Sequence, residues 1–177
     1  TCLAGRVEAM RADASLDFAV FRLGIFKQQP NDTPWLWNTE TSESDLDRFL
    51  RLDVPWGTCS LVWKRAALER LGLWDERLPS FQDWDIHVRA LIAGMKYTRV
   101  PVIDTHCRIH EQVGKSISAS NKSMKHLNSH ETLFKQTLEA LRASHQMNYR
   151  RRTIIAGELF WLAEHFLAHG ERSRARR

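Results

Sequence analysis

The spacing of apolar residues changes along the chain, and each change predicts a new element. Residues 2–12 fit a helix, and the continuous apolar run Leu16–Phe26 predicts a buried strand. The polar segment Lys27–Ser44 contains two prolines and several turn-forming residues, and it predicts a long loop. Shorter elements are expected after it: a helix over 45–51, a strand over 58–63, a helix over 65–71 and an extended strand over 96–109 that Pro101 interrupts.

Residues 80–94 have a strongly constrained helical pattern. Apolar side chains recur there at helical spacing and predict one packed face, formed by Trp84, Val88, Leu91 and Ile92. Ser80 is placed to cap the start of this helix with its hydroxyl group, and Gly94 supplies a left-handed stop.

The segment 122–172 predicts a helical hairpin, because apolar residues recur at helical spacing in two successive stretches. The two stripes are Leu127, Phe134, Leu138 and Leu141, and then Ile155, Leu159, Leu162 and Phe166. The pattern as a whole therefore predicts an α/β body, residues 1–118, followed by a C-terminal helical extension, residues 119–177.

Composition fits a compact body with one core, since 43% of the 177 residues are hydrophobic. The three cysteines, Cys2, Cys59 and Cys107, form no CxxC pair and indicate reduced thiols in a cytoplasmic protein. The net charge of +5 is concentrated at Arg150–Arg152 and in the tail 171–177. A basic end favours anionic partners such as phospholipid headgroups or diphosphates, although a solvated helix end is the more ordinary interpretation of the tail.

Two carboxylates, Asp83 and Asp85, lie in the first turn of the helix predicted after residue 80. First-turn carboxylates stabilise the positive end of a helix dipole, so Asp83 has either this structural role or a chemical one. Asp85 and Arg89 are spaced for an ion pair, and Asp83 and His87 for a carboxylate–imidazole contact.

Several motifs occur in an order typical of one enzyme family. They are the run Gly57–Glu76, which ends in the turn Gly-Leu-Trp-Asp-Glu, then Gln82–Asp85, Arg108–His110 and Ser116–Ser118. In this order and spacing the chain resembles the acceptor-side half of a family 2 glycosyltransferase. The resemblance implies a partial GT-A (nucleotide-diphospho-sugar transferase-like) domain that transfers a sugar from a nucleotide-sugar donor to an acceptor hydroxyl, with inversion, in cell-surface glycan or polysaccharide synthesis.

The resemblance also implies roles for individual residues. Asp83 would be the general base, and His110 would contact a divalent metal, Mn²⁺ or Mg²⁺, at the donor diphosphate. Acceptor contacts would come from Trp35, Trp37, Gly57, Thr58, Gln82, Trp84 and Asp85. Diphosphate contacts would come from Arg108, Lys115, Ser116 and Ser118.

The chain departs from the family pattern in two respects. Gln82 stands where family members usually carry Glu. The donor half with its Asp-x-Asp metal motif is missing, because Asp45-Leu-Asp47 falls in a predicted helix and Asp83-Trp-Asp85 is already assigned. We therefore expect a fragment that starts just past that motif and is inactive alone.

Aromatic and histidine residues have ordinary interpretations as well. Trp35 and Trp37 lie in the polar loop and are the tryptophans best placed for a sugar, whereas the spacing of Trp63, Trp74 and Trp84 favours the core. Two i, i+4 histidine pairs, His126 with His130 and His165 with His169, lack a third ligand and predict solvated helix positions.

Two other classes of function remain open at this point. The chain could be a non-catalytic module that binds carbohydrate or a lipid-linked acceptor, with its basic end in peripheral contact with the inner face of a membrane. Its charge also permits a nucleic-acid-binding domain, but no recognisable RNA or DNA motif supports one. We therefore expect a nucleotide-sugar donor and a glycan or lipid-linked acceptor, and no nucleic acid.

Overall fold

The strands form one three-stranded mixed sheet, with the helices packed around it. The computed structural model describes residues 2–109 and 123–176. In chain order the elements are α1 (Cys2–Ala12), β1 (Phe18–Phe26), α2 (Asp45–Leu50), β2 (Leu61–Trp63), α3 (Arg65–Leu71), α4 (Gln82–Ile92), β3 (Tyr97–Arg108), α5 (Met124–Ala143), α6 (Tyr149–Ala168) and α7 (Arg172–Ala175). The predicted α/β class and helical hairpin are confirmed. Within the predicted strand over 58–63, Thr58–Ser60 instead form a 3₁₀ turn.

The central strand is β1, which pairs in parallel with β3 and antiparallel with β2. Its residues are apolar on both faces because both faces are covered, and Phe18, Val20 and Leu23 are all buried. The polar loop after β1 turns back along the same strand. The backbone N–H of Ile25 donates to Trp35, and that of Trp37 donates to Leu23, both at 2.9 Å.

Pro101 produces the predicted interruption in β3. The register with β1 shifts there, because Phe21 pairs with Val100 whereas the next residue, Arg22, pairs with Ile103. Proline has no N–H to donate, so a bulge at this point removes it from the hydrogen-bonded ladder.

Gly24 in β1 allows the ring of His106 to lie against the backbone. A Cβ atom at this position would meet His106 Cδ2 at 2.7 Å and Ile103 Cγ2 at 3.1 Å. His106 Nε2 lies 2.9 Å from Asn31 Oδ1, and this hydrogen bond ties β3 to the loop after β1.

We expect Gly24→Ala to displace the His106 ring and to break its bond to Asn31. The overpacking should lower the free energy of unfolding by about 1 kcal/mol. Chemical denaturation of Gly24→Ala and of Gly57→Ala measures the effect, since a Cβ at Gly57 meets nothing closer than 4.0 Å. Equal stability of the two variants would show that the contact at Gly24 does not restrict the strand pair.

One apolar cluster joins the sheet to the C-terminal helices. It contains Phe18 of β1, Phe49 of α2, Trp84 of α4 and Phe134 of α5. The rings of Trp84 and Phe134 stack at 5.2 Å, and the Trp84 indole N–H donates to the carbonyl of Phe49 at 2.7 Å. The predicted extension thus shares a core with the α/β body, and the division at residue 118 stays a prediction.

Two of the arginines that open α6, Arg150 and Arg151, form ion pairs within the chain. Arg151 Nε lies 2.7 Å from Asp47 Oδ1, and Arg150 forms ion pairs with Asp47 and Glu43. Hydrogen bonds from Arg51 and then from Arg150 lower the pKa of Glu43 to about 2. Glu43, just before α2, and Asp47, in α2, therefore offset part of the unfavourable positive charge at the start of α6.

Across the described ranges, no helix combines the length and the apolarity that a membrane crossing requires.

Candidate functional site

Asp83 lies exposed in the first turn of α4. The indole N–H of Trp74 donates to Asp83 Oδ1 at 3.4 Å, a long hydrogen bond that links α4 to the turn after α3. Trp74 therefore contacts the candidate base, although its spacing in the sequence favoured a core position. A carboxylate so exposed is free to meet a substrate hydroxyl group.

The start of α4 is held by Phe81 and not by the predicted Ser80 cap. Ser80 Oγ is buried and has no hydrogen-bond partner, so the capping prediction is wrong. Phe81 has a φ of 66°, a left-handed conformation that is costly for a bulky residue. Its ring packs 4.3 Å from His126 on α5, and the Gln82 amide donates to the Leu78 carbonyl at 2.8 Å. Packing against α5 thus fixes the backbone next to Asp83.

His87 lies fully buried one helical turn after Asp83. Neither ring nitrogen has a hydrogen-bond partner, so the predicted contact with Asp83 does not form a hydrogen bond. Its ring is parallel to that of Trp63 and lies close to Phe49 and Trp56. Burial lowers the pKa of His87 to about 4, against a smaller opposing effect of Asp83. The imidazole is therefore neutral near pH 7, and it packs the buried face of α4 against these aromatic rings.

The 3₁₀ turn Thr58–Ser60 carries an exposed free thiol, Cys59. Surrounding protein atoms displace water and raise the pKa of the Cys59 thiol, and the nearby Cys107 and Asp83 add to the effect. Arg6 of α1 anchors this turn by donating to the carbonyls of Cys59 at 2.8 Å and Leu61 at 2.9 Å. Arg6 therefore fixes the turn that carries Cys59.

Sequence reasoning missed Arg6, because nothing local distinguishes it from the other arginines of the chain. Besides holding the turn, it donates to Asp104 at 2.6 Å and to Thr105 Oγ1 at 2.8 Å. Arg6 joins residues that lie about 55 and 98 positions away in sequence. No spacing rule could have indicated these partners.

Asp85 and Arg89 form the predicted ion pair, with Nη2 2.7 Å from Oδ2. The same guanidinium group donates to the carbonyls of Leu71 and Leu73, each at 2.7 Å. It thereby fastens α4 to the turn Gly72–Glu76. The Asp85 carboxylate is buried and already engaged, which favours a structural role over acceptor contact.

The other residues implied in acceptor contact fall in two places. Trp84 is buried in the core, as its spacing predicted, while Gly57 is half-buried and Thr58 exposed beside Cys59. Trp35 and Trp37 are 50% and 45% exposed and belong to the loop after β1. Trp35 and Trp37 thus lie on the loop after β1, whereas Trp74 is a tryptophan that contacts Asp83 directly.

Arg108 ends β3 beside the end of β1. Its guanidinium lies 5.0 Å from the centre of the Phe26 ring and donates to the Gln28 carbonyl at 3.3 Å. Parallel strands that end together often border a ligand site. The remaining residues implied in diphosphate or metal contact lie outside the described residues: His110, Lys115, Ser116 and Ser118.

Residues 2–109 and 123–176 contain no group of three or more His, Cys, Asp or Glu side chains placed to hold a metal ion. The Asp-x-Asp string Asp45-Leu-Asp47 already pairs with other side chains of the chain. Asp45 accepts hydrogen bonds from Tyr97 and Arg99, and Asp47 pairs with Arg150 and Arg151. The described side chains therefore do not fit the divalent metal that the family resemblance implies.

His130 is buried, so the prediction of a solvated helical position is wrong for this residue. Neither of its ring nitrogens has a hydrogen-bond partner, and Glu158 Oε2 lies 3.8 Å from Nε2. Burial, with smaller effects of His126 and His165, lowers the pKa of His130 to about 4, and burial also raises the pKa of Glu158. The ring is therefore neutral and is part of the α5–α6 contact.

This burial predicts a loss of stability in acid. Because the folded-state pKa of His130 lies below its usual value of 6.5, the unfolded chain binds more protons between about pH 6.5 and 4. The free energy of unfolding should fall across that window, by up to about 1.4 kcal/mol per pH unit for one histidine. His130→Leu should reduce the slope without removing it, since His87 contributes in the same sense. Denaturation at several pH values, with the exposed His169→Gln as control, measures this, and an unchanged slope would contradict it.

Asp83 and Trp74 thus form a contact at the start of α4, where the exposed carboxylate can accept a proton. No family model, curated protein or solved structure matches the chain, so its function is argued from these residues.

Proposed function

We propose that the chain is the acceptor-side half of an inverting glycosyltransferase that acts in cell-surface glycan or polysaccharide synthesis. The observation that carries the proposal is the exposed carboxylate of Asp83, positioned at the start of α4 by Trp74 and Phe81. The order of motifs that resembles family 2 adds support, because the same Asp would be the base of that family.

In the proposed reaction Asp83 removes the proton of an acceptor hydroxyl group. The acceptor oxygen then forms a bond to the anomeric carbon while the bond from that carbon to the nucleoside diphosphate breaks on the opposite face. The proton remains on Asp83 until solvent takes it, and the diphosphate leaves with the bonding electron pair. This single displacement inverts the anomeric configuration, and a positioned base is suited to it.

Chain residues have separate tasks in this scheme. Trp74 orients Asp83 through its indole N–H, and His87 supports the helix without entering the reaction. Arg108 offers a positive charge to the diphosphate from the end of β3. The family resemblance implies Mn²⁺ or Mg²⁺ at the diphosphate, but the described side chains do not form such a site.

The proposal is tested by joining the chain to a donor-binding GT-A half and supplying nucleotide-sugars one at a time. Transfer to an acceptor should release one nucleoside diphosphate per sugar, and mass spectrometry of the acceptor should show a gain of one sugar residue. The proposal would be contradicted if the joined protein folds well but transfers no sugar from any of the nucleotide-sugars to a glycan or lipid-linked acceptor.

A non-catalytic carbohydrate-binding module is the second candidate. The exposed Trp35 and Trp37 favour it, because indole rings pack well on the C–H faces of sugars. Such a module would keep its function in Asp83→Asn, whereas a transferase would not. Peripheral contact with a membrane at the basic end has weaker support, since Arg150 and Arg151 are paired within the chain.

A further inference from the structure

A groove lies between α5 and the turn that follows α3. Its volume is about 430 Å³, within the range of small-molecule sites. Trp74 and Asp75 line it from the turn, Arg89 from α4, and Gln136 and Ala140 from α5. Asp83 does not line this groove, but the residue that donates to Asp83 does. Trp74 therefore connects the groove to the candidate base.

The charges of the groove largely cancel. Arg77 donates to both oxygens of Asp75, each at 2.8 Å, and Arg89 is paired with Asp85. Only Glu76, among the charged side chains that line the groove, has no such partner in the described part of the protein. A nucleoside diphosphate needs a surplus of positive charge, which this groove does not offer. The groove therefore suits a neutral polar molecule better than a nucleoside diphosphate.

The remaining surface of the groove suits a sugar ring. Trp74, Ile92 and Ala140 provide apolar area, which can cover the C–H face of a pyranose. The exposed amide of Gln136 provides both hydrogen-bond donors and an acceptor for hydroxyl groups.

A second groove continues from the first. Its volume is about 360 Å³, and it shares Asp75, Arg77 and Gln136 with the first groove. The two grooves are neighbours, and Gln136 of α5 lines both. Together they offer room for a ligand of more than one ring.

We infer that this pair of grooves binds the neutral, non-reacting sugar units of the acceptor, and that the reacting unit extends past Trp74 to Asp83. The identification of the ligand as the acceptor rests on the proposed function, whereas the binding of a neutral sugar does not. The sequence predicted acceptor contacts from Trp35 and Trp37. The grooves instead place the acceptor at the turn Gly72–Glu76, which contacts Asp83 through Trp74.

The test observes the indole N–H signals of ¹⁵N-labelled protein by NMR, because the chain has seven tryptophans and each gives one signal. Trp74→Phe assigns the signal of interest. The probes are the neutral methyl β-glucoside, methyl β-galactoside and methyl N-acetyl-β-glucosaminide with their β-linked disaccharides, and the anionic probe is uridine diphosphate. We expect at least one neutral probe to shift the Trp74 signal and uridine diphosphate to leave it unchanged.

The variant Gln136→Ala should weaken binding of that probe about three- to tenfold, and it should fold normally because Gln136 is exposed. Glu139→Ala, also exposed on α5 but outside both grooves, is the matched control and should bind normally. Asp83→Asn should also bind normally, so a failure of catalysis and a failure of this inference are distinguishable. Shifts confined to Trp35 and Trp37, equal affinity of Gln136→Ala and Glu139→Ala, or no shift with any neutral probe would overturn the inference.

Discussion

Asp83→Asn is expected to lower sugar transfer by about 10²- to 10⁴-fold when the chain is joined to a donor-binding half. An amide occupies the same space and still accepts a hydrogen bond from the Trp74 indole, but it cannot take a proton from the acceptor. Binding of the nucleotide-sugar and the free energy of unfolding should therefore stay close to their original values. Initial rates under saturating donor, together with denaturation curves, measure the three quantities.

Glu139→Gln is a suitable control for this substitution, because it removes an exposed carboxylate of α5 far from the proposed chemistry. It should transfer sugar at the original rate. Near-normal turnover in Asp83→Asn would end the assignment of Asp83 as the base. The carboxylate would then be a helix-start residue that interacts with the dipole of α4.

Arg89→Met is expected to lower the free energy of unfolding by about 3 to 5 kcal/mol. The substitution leaves the Asp85 carboxylate, whose side chain is 9% exposed, without its counter-charge. It also leaves the carbonyls of Leu71 and Leu73 without their donor, so the turn that presents Trp74 should loosen. Denaturation by urea measures the loss of stability.

The matched control is Arg65→Met in α3. Arg65 and Glu69 have the same i, i+4 spacing and a similar distance of 2.8 Å, but their side chains are 92% and 55% exposed. A solvated pair contributes little, so this variant should lose no more than about 0.5 kcal/mol. The double variant Asp85→Asn with Arg89→Met should recover part of the lost stability, because the buried charge is gone. An equal loss in the free energy of unfolding for Arg89→Met and Arg65→Met would show that burial of Asp85 does not strengthen its ion pair.

The elements were predictable because their causes are local. The continuous apolar run around Phe18 and Val20 indicates a strand covered on both faces, and such a strand is observed. Gly94 has a φ of 67°, as a left-handed helix stop requires. Pro101 interrupts β3 because it lacks an N–H, which the sequence alone reveals.

The surroundings of Asp83 were less predictable because they depend on distant residues. Phe81 adopts a left-handed conformation where a Ser80 cap was expected, and its ring packs against His126, which comes 45 residues later. His130 was predicted to be solvated because the pair His126 and His130 lacks a third metal ligand, yet the packing of α6 covers it. A helical pattern gives the face of a side chain but not the element that will lie against it.

The charged residues show the same limit. The Asp85–Arg89 pair was predicted because both residues lie on one helix. The pairs of Arg150 and Arg151 with α2 were not, since more than 100 residues separate the partners in sequence. Their positions at the start of α6 indicated only that some counter-charge was needed.

The configuration of the new glycosidic bond tests the central proposal most directly. Proton NMR of the purified product reports the coupling of the anomeric proton, which distinguishes the α and β forms of most hexoses. A single displacement with Asp83 as base predicts a product whose anomeric configuration is opposite to that of the nucleotide-sugar donor. A product with the donor configuration retained would contradict it.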